Sequence, residues 1–401
     1  AGSYPALYLS GFQPAMVLKG RLRTSLGELW ARKGLVVFQF SISVILIVAV
    51  LVTYKQIELV QTRNLGYDKE NILYFTPLGR VKERLETFLA EAQNLPGVVN
   101  ASSSEHTLFE RTTSTRDVQW EGKTQTQDEM EFDYIPVNYG MIETFGIEMK
   151  EGRTFDRNFS TDPSAIILNE AAVEAMGLRN PIGKVVRYWN EDKRVIGVTK
   201  NFQVGSLHEK VRPLFFRLEP TSTSLVMIRF QGGKVKQVLN QLENLHRQFN
   251  PGYPLEYRIL DDQYQNLYAS EERVAVLSQY FACIAVVISC LGLSGLAAFT
   301  AERRSREIGI RKVLGASEFG IFRLLSGDFT RMVLIAILIA LPFSYLVARI
   351  WLNSFAYRID LEMWYFIGAG LSALLIAWFT VGLQTVKATF MNPIKSLRGK
   401  E

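Results

Sequence analysis

Cysteine and histidine are scarce in this chain, and each scarcity closes off a class of chemistry. The two cysteines, Cys283 and Cys290, lie seven residues apart inside one apolar run. They read as small packing side chains on one helix face, so the polar remainder has to fold without disulfides. The three histidines, His106, His208 and His246, stand singly and lack metal-ligand spacing, which favours surface or core roles. No GxSxG or HExxH pattern occurs. The paired acids Asp261-Asp262 and Glu271-Glu272 read as solvated charges at a strand end and on a helix. Gly177 to Val185 comes nearest to a phosphate loop, yet it has one residue too many and no Ser or Thr after Lys184. No ATPase, metal centre or cofactor site is expected in the chain itself.

Charge is missing from four further stretches, Gly34–Tyr54, Tyr280–Thr300, Met332–Trp351 and Met363–Leu383, with Arg349 the sole exception. Runs of about twenty apolar residues span a bilayer as helices, and Arg349 lies near a helix end from which its stem can reach the interface. Absent, too, is an intramembrane array of ionisable residues, which disfavours a proton- or ion-coupled path. Pro342 should kink the third span. Gly292, Gly295, Ala297 and Ala298 in the second span, and Gly368, Ser372, Ala373 and Ala377 in the fourth, let helix backbones approach closely, within one chain or between copies.

Basic residues are distributed unevenly. Residues 55–273 carry 27 Lys and Arg against 31 Asp and Glu, although the whole chain is net +6. The surplus flanks the spans, at Arg21, Arg23, Arg32 and Lys33, from Arg303 to Arg331, and at Lys387, Lys395, Arg398 and Lys400. By the positive-inside rule these segments are cytoplasmic, and residues 55–273 with the short Leu352–Glu362 loop lie outside. A pI near 9.1 then needs no nucleic-acid partner. The resulting plan is a cytoplasmic segment 1–33, spans 34–54, 280–300, 332–351 and 363–383, an inner loop 301–331 and a tail 384–401. No cleavable signal peptide is evident.

The outer segment reads as α+β. Amphipathic helices are expected at Arg80–Leu95, stopping at Pro96-Gly97, and at Lys234–Phe249, stopping at Asn250-Pro251-Gly252. Strand-like runs lie at Asn71–Thr76, Met130–Val137, Leu214–Leu218, Ser224–Phe230 and Leu255–Leu260. Two strand-helix-strand units with helices on one sheet face make a ferredoxin-like layout. Residues 138–212 read as an inserted lobe, with a hairpin of Lys184–Tyr188 and Arg194–Val198 turned at Asn190-Glu191-Asp192. Neither Tyr54–Arg63 nor Gln263–Gln279 contains a helix breaker, so both should extend spans outward as a stalk.

The inner loop has helix punctuation, with Gly315 as a stop after Arg303–Leu314 and Ser317 as the next N-cap. Ile308, Ile310, Val313 and Leu314 supply apolar contacts and Arg303, Arg304, Arg311 and Lys312 supply charge. Physical reasoning leaves two readings open, docking to a protein or lying on lipid. Near the two ends, Pro14 to Gly20 and Pro393 to Gly399 share a P-x3-L-[KR]-G pattern, either by chance or because residues 1–20 are the tail of a preceding similar module.

RRSREIGIRKVLGAS at 303–317 closely resembles the cytoplasmic coupling helix of MacB/FtsX-type ABC transporter permeases. GLVVFQFSIS at 34–43, GIEMKEGRTF at 146–155, ILNE at 167–170, NPIGK at 180–184, VIGVTKNF at 195–202 and NPIKSLR at 392–398 resemble the same family and its MacB-like periplasmic core domain. The resemblance implies a bacterial inner-membrane permease with a porter-type subdomain, ATP being bound by a separate ABC ATPase subunit. It assigns coupling to Arg303, Arg304, Glu307, Ile308, Gly309, Ile310, Arg311, Lys312, Val313, Leu314, Gly315 and Ala316. It further implies mechanotransmission, in which the stalk carries movement to the outer domain and no substrate threads the membrane. Expected partners are that ATPase, membrane lipid, a first permease module or second permease copy, and a periplasmic partner; the cargo is a peptide, lipoprotein or toxic compound. No ATPase domain is fused here, so an outer-membrane efflux partnership is not assumed. A receptor that binds an outer ligand is the alternative, although it calls for an inner output domain that the chain lacks.

Overall fold

Alternation of apolar side chains between the first and second long runs produces short strands, and their order shows how the outer segment is built. The structure, a computed structural model, describes residues 26–109, 112–304, 307, 309–311, 314, 315 and 317–389. It divides into two units, residues 56–273 with 352–359, and the remaining helical part.

In the first unit the strands are β1 (Ile72–Phe75), β2 (Val98–Ser104), β3 (Thr113–Thr115), β4 (Val118–Trp120), β5 (Phe132–Val137), β6 (Met149–Gly152), β7 (Ala165–Asn169), β8 (Val185–Tyr188), β9 (Glu191–Thr199), β10 (Leu214–Leu218), β11 (Leu225–Phe230) and β12 (Arg258–Ile259). The order β12-β1-β11-β2 is antiparallel throughout. Helices Gly79–Glu83 and Leu85–Gln93 connect β1 to β2, and Val235–Phe249 lies between β11 and β12. This is the ferredoxin-like arrangement. Leu73, Phe75, Val226 and Ile228 of the sheet form one core with Val81, Phe88, Val238 and Leu242 of the helices. Phe88 sits edge-on to Phe75 and Phe249, with ring centroids 5.8 and 5.3 Å away.

Tertiary contacts alter several elements. The helix expected at Arg80–Leu95 breaks at Arg84, whose φ and ψ are −121° and 44°. Its first turn is held from outside, since Arg80 N donates to Asn250 Oδ1 at 2.9 Å and Asn250 Nδ2 donates to Leu78 O at 2.7 Å. The strand expected at Leu255–Leu260 shrinks to Arg258–Ile259, and the chain from Leu260 onward is helical. The inserted lobe is larger than residues 138–212. It begins after β2, because β5 and β10 pair with each other in parallel and continue the order as β5-β10-β7-β9-β8-β4. β2 meets β5 through a single pair, Ser104 with Val137. The β8–β9 hairpin turns at Trp189-Asn190, both with positive φ, one to two residues earlier than expected. Trp189 stacks on Tyr188 at 4.7 Å, and this packing offsets a backbone conformation that bulky residues avoid.

Family-like motifs occupy tight points of the lobe. Asn169 of ILNE caps helix Glu170–Met176 by accepting from Ala172 N at 2.8 Å, accepts from Leu214 N at 3.0 Å and donates to Arg212 O at 2.8 Å. Where β6 meets β9, a Cβ on Gly152 would stand 2.3 Å from Ile196 O and one on Gly197 2.4 Å from Arg153 O. Only glycine permits that approach. Gly177 and Gly183, from the stretch nearest to a phosphate loop, both have positive φ, and Gly177 closes helix Glu170–Met176 as its C-cap.

Among the described residues, the second unit contains four helices long and apolar enough to cross a membrane. They belong to Leu26–Thr62, Ala269–Arg303, Glu318–Leu352 and Met363–Thr389. Phe40, Leu293, Leu296, Met332, Val333 and Ala377 pack at their centre. Ser43 Oγ and Ser289 Oγ are 3.0 Å apart, and Ser41 Oγ donates to Ala336 O at 3.2 Å. A Cβ on Gly292 would lie 2.4 Å from Gln39 Oε1, so this glycine serves close packing within the chain. Cys283 is exposed and Cys290 partly so. Helix Glu318–Leu352 runs through Pro342 without ending.

Replacing Phe88 with Ala should cost the outer unit about 3–5 kcal/mol, from lost transfer energy and the cavity left behind. Hydrogen exchange at β11 amides of the full chain is expected to accelerate roughly a hundredfold or more where it proceeds by global opening of the unit.

Candidate functional site

The candidate coupling segment lies between the second and third membrane helices. The chain leaves Ala269–Arg303 in helical register, with Arg304 N donating to Thr300 O at 3.0 Å. Arg304 pairs with Asp328 of helix Glu318–Leu352 at 3.1 Å. Glu307 and Arg311 form an i,i+4 pair at 2.9 Å, with the acid N-terminal, the better order on a helix. Leu314 N donates to Ile310 O at 3.0 Å, and Gly315 follows at φ +87°. Ser317 Oγ accepts from Gly320 N at 3.2 Å, an N-cap for the next helix.

Two apolar side chains one helical turn apart, Ile310 and Leu314, are 53% and 80% exposed. Arg311 beside them is exposed as well. Among the proposed coupling residues, Arg303, Arg304, Glu307, Gly309, Ile310, Arg311, Leu314 and Gly315 are described, whereas Ile308, Lys312, Val313 and Ala316 lie outside the described residues. Arg303 and Arg32 both lie over the Phe299 ring, at 5.4 and 4.9 Å.

The stalk segments within the outer unit differ from each other. The first continues its membrane helix to Thr62. The second is split: helix Leu260–Leu267 ends and Ala269–Arg303 begins around Tyr268, with no glycine or proline present. The break has a tertiary cause, because the buried Tyr268 hydroxyl accepts from Leu207 N at 2.8 Å and its ring packs on Tyr264. Burial and the neighbouring Tyr268 push the Tyr264 phenol above its usual range. It remains a donor, to Val60 O at 3.2 Å. Gln61 Nε2 donates to Glu272 Oε1 at 2.8 Å, a second tie between the two segments.

Three of the four paired acids read from the sequence as solvated have partners, Glu272 in Gln61, Asp261 in Lys69 at 2.9 Å and Glu271 in His208 at 3.4 Å, while Asp262 is exposed as expected. His246 is buried, its pKa lowered by that burial. His106 lies 3.3 Å from Thr113 Oγ1. Among the described residues, no group of three or more His, Cys, Asp or Glu could hold a metal ion.

Residues 35–245 match the sequence model of the MacB-like periplasmic core domain, and residues 280–393 that of the FtsX-like permease C-terminal region. The chain belongs to the MacB/FtsX-type ABC transporter permeases. An uncharacterised ABC transporter permease of Bacillus subtilis, YknZ, is 24% identical over 283 residues, 65% of this chain and 68% of that protein. The macrolide export ATP-binding/permease protein MacB of Aggregatibacter actinomycetemcomitans is 24% identical over 205 residues. That match covers 46% of this permease and 31% of the relative, so the chain spans less than a third of MacB. The crystal structure of the periplasmic region of MacB from Actinobacillus actinomycetemcomitans covers 52% of the permease and 97% of its own chain, at 15% identity and a TM-score of 0.36. The permease is an inner-membrane protein with a periplasmic domain.

Ser317→Ala should remove the cap ahead of the third membrane helix, at a cost of about 0.5–2 kcal/mol. Hydrogen exchange at the Gly320 amide is expected to rise roughly two- to thirtyfold, while β11 amides stay unchanged.

Proposed function

We propose that this permease is a non-catalytic subunit that takes energy from a separate ABC ATPase through the 303–316 segment and delivers it to the periplasmic domain. The observation that carries this reading is the exposure of Ile310, Arg311 and Leu314, with Leu314 N bonded to Ile310 O. These side chains lie outward between two membrane helices, followed by Gly315 at φ +87°, while Arg304 ahead of them pairs with Asp328. A connector that only links two helices gains nothing from exposing Ile310 and Leu314. Apolar side chains bordered by charge suit insertion into a groove of a partner protein.

Transmission through the stalk is supported by helix length. The 37-residue helix Leu26–Thr62 is about 55 Å long at 1.5 Å per residue, well beyond the roughly 30 Å of hydrocarbon. An uninterrupted hydrogen-bonded rod of that length carries displacement with little bending. The ATPase closes the inner ends of the spans, the stalk moves the periplasmic domain, and an envelope substrate is exported or extracted. MacB is named for macrolide export; here the cargo class is a peptide, lipoprotein or toxic compound. A first module or second copy of the permease completes the assembly, with lipid and a periplasmic protein as further partners.

Ile310→Asp, or charge reversal of Arg311 together with Lys312, should abolish copurification with a co-expressed ABC ATPase and leave membrane insertion intact. Undiminished copurification of either variant sinks the coupling assignment. Gln61→Cys combined with Glu272→Cys should form a disulfide that clamps the stalk. The expected outcome is blocked transport with ATPase binding retained, and full activity under oxidising conditions would refute transmission through the stalk.

A further inference from the structure

The loop between the third and fourth membrane helices was expected to be a short outer connector, yet residues 352–359 pack as part of the periplasmic unit. Gln56, on the first stalk helix, is wholly buried. Its Nε2 donates to Tyr357 O at 2.9 Å and its Oε1 accepts from Ile359 N at 3.0 Å. One carboxamide thus pairs with the loop as a neighbouring strand would, satisfying its own buried groups in the process. The Arg63 guanidinium lies 3.9 Å above the Tyr357 ring.

On the domain side, Tyr357 N donates to Leu207 O at 3.3 Å. The His208 ring stacks on Phe355 at 4.0 Å, with Nδ1 donating to Ser354 O at 2.8 Å and Nε2 3.4 Å from Glu271. Leu207 is fully buried, and its N–H donates to Tyr268, the residue at which the second stalk helix breaks. A continuous run of hydrogen bonds therefore joins the loop, through the Leu207 main chain, to that break.

We propose that the 352–359 loop is a second load-bearing attachment of the membrane helices to the periplasmic domain, with Gln56 and His208 as its positioning residues. The proposal rests on the mechanical reading above. It adds that the stroke enters the domain at two places, along the stalk and through the hairpin of the third and fourth spans. A passive connector has no need to bury a glutamine whose two polar groups are both committed to loop main chain.

The test uses the full chain in nanodiscs with its copurified ATPase, followed by hydrogen exchange with and without a non-hydrolysable ATP analogue. In the unmodified complex, the Tyr357 and Ile359 amides should be protected, and the analogue should change exchange across residues 204–209 and 260–268. Gln56→Leu should speed exchange at Ile359 about tenfold or more and abolish the nucleotide response of both segments, with ATP turnover within about twofold of normal. Gln56→Glu, which keeps the acceptor, should be intermediate. His208→Ala, at the more exposed rim, provides a variant that folds independently of the buried amide and should weaken the response. A nucleotide response in Gln56→Leu and His208→Ala equal to that of the unmodified complex would overturn the proposal, as would unprotected Tyr357 and Ile359 amides. Protected loop amides without any nucleotide response in the unmodified complex would instead overturn the mechanical reading, and the load-bearing role with it.

Discussion

A backbone that crosses hydrocarbon must satisfy its own hydrogen bonds, and most of this permease follows from that constraint. It forces the four apolar runs into helices, and a helix once begun continues until something ends it. Nothing in Tyr54–Thr62 ends the first one, so its hydrogen-bonded rod runs on past the length a bilayer requires. The same constraint favours partners for polar side chains. Ser41 and Ser43 bond within the helical unit, and Gln56 waits until the first helix has entered the periplasmic unit.

The periplasmic unit reconciles two demands on one sheet. Its ferredoxin-like half buries three helices against four strands, and its lobe adds the remaining strands around β5 and β10. Among the described residues, strand pairing between the halves is the single pair Ser104 and Val137, with Asp68 N donating to Phe145 O beside it. Side chains hold them together more broadly, since Tyr74 and Met227 of one half share a core with Val137, Ile167 and Phe216 of the other. Val60, Leu207, Tyr264 and Tyr268 belong to this core as well. The stalk is thus packed into the part of the unit where the two halves meet.

Legibility tracked the range of the interactions. The Val235–Phe249 helix announces itself by its spacing, and its stop at Asn250-Pro251-Gly252 is local chemistry. Gly315 and Ser317 likewise mark the ends of their helices by turn and cap preferences. Strand β2, with the sequence VVNASSS, carries no such signal; its serines are buried because Ser102 and Ser104 bond to Tyr139 O and His106 O. The breaks at Arg84 and Tyr268 were illegible for the same reason, each being imposed by a partner more than sixty residues away in sequence. Candidate coupling residues could be read from a contiguous motif, whereas Gln56 and His208 could not, since their partners lie some 300 and 150 residues along the chain.

The sequence by itself marked four runs long and apolar enough to cross a membrane, the side on which the large domain lies, and where a basic and apolar stretch interrupts the inner loop. These depend on hydropathy and charge summed over neighbouring residues, quantities that need no fold. Only the tertiary structure decided how far the inserted lobe extends, where the second stalk helix breaks, and that the outer loop is bound into the periplasmic unit. Each of those turns on directional hydrogen bonds between residues distant in the sequence. Leu207, with its N–H given to Tyr268 and its carbonyl to Tyr357, acquires its place only when all three segments are brought together.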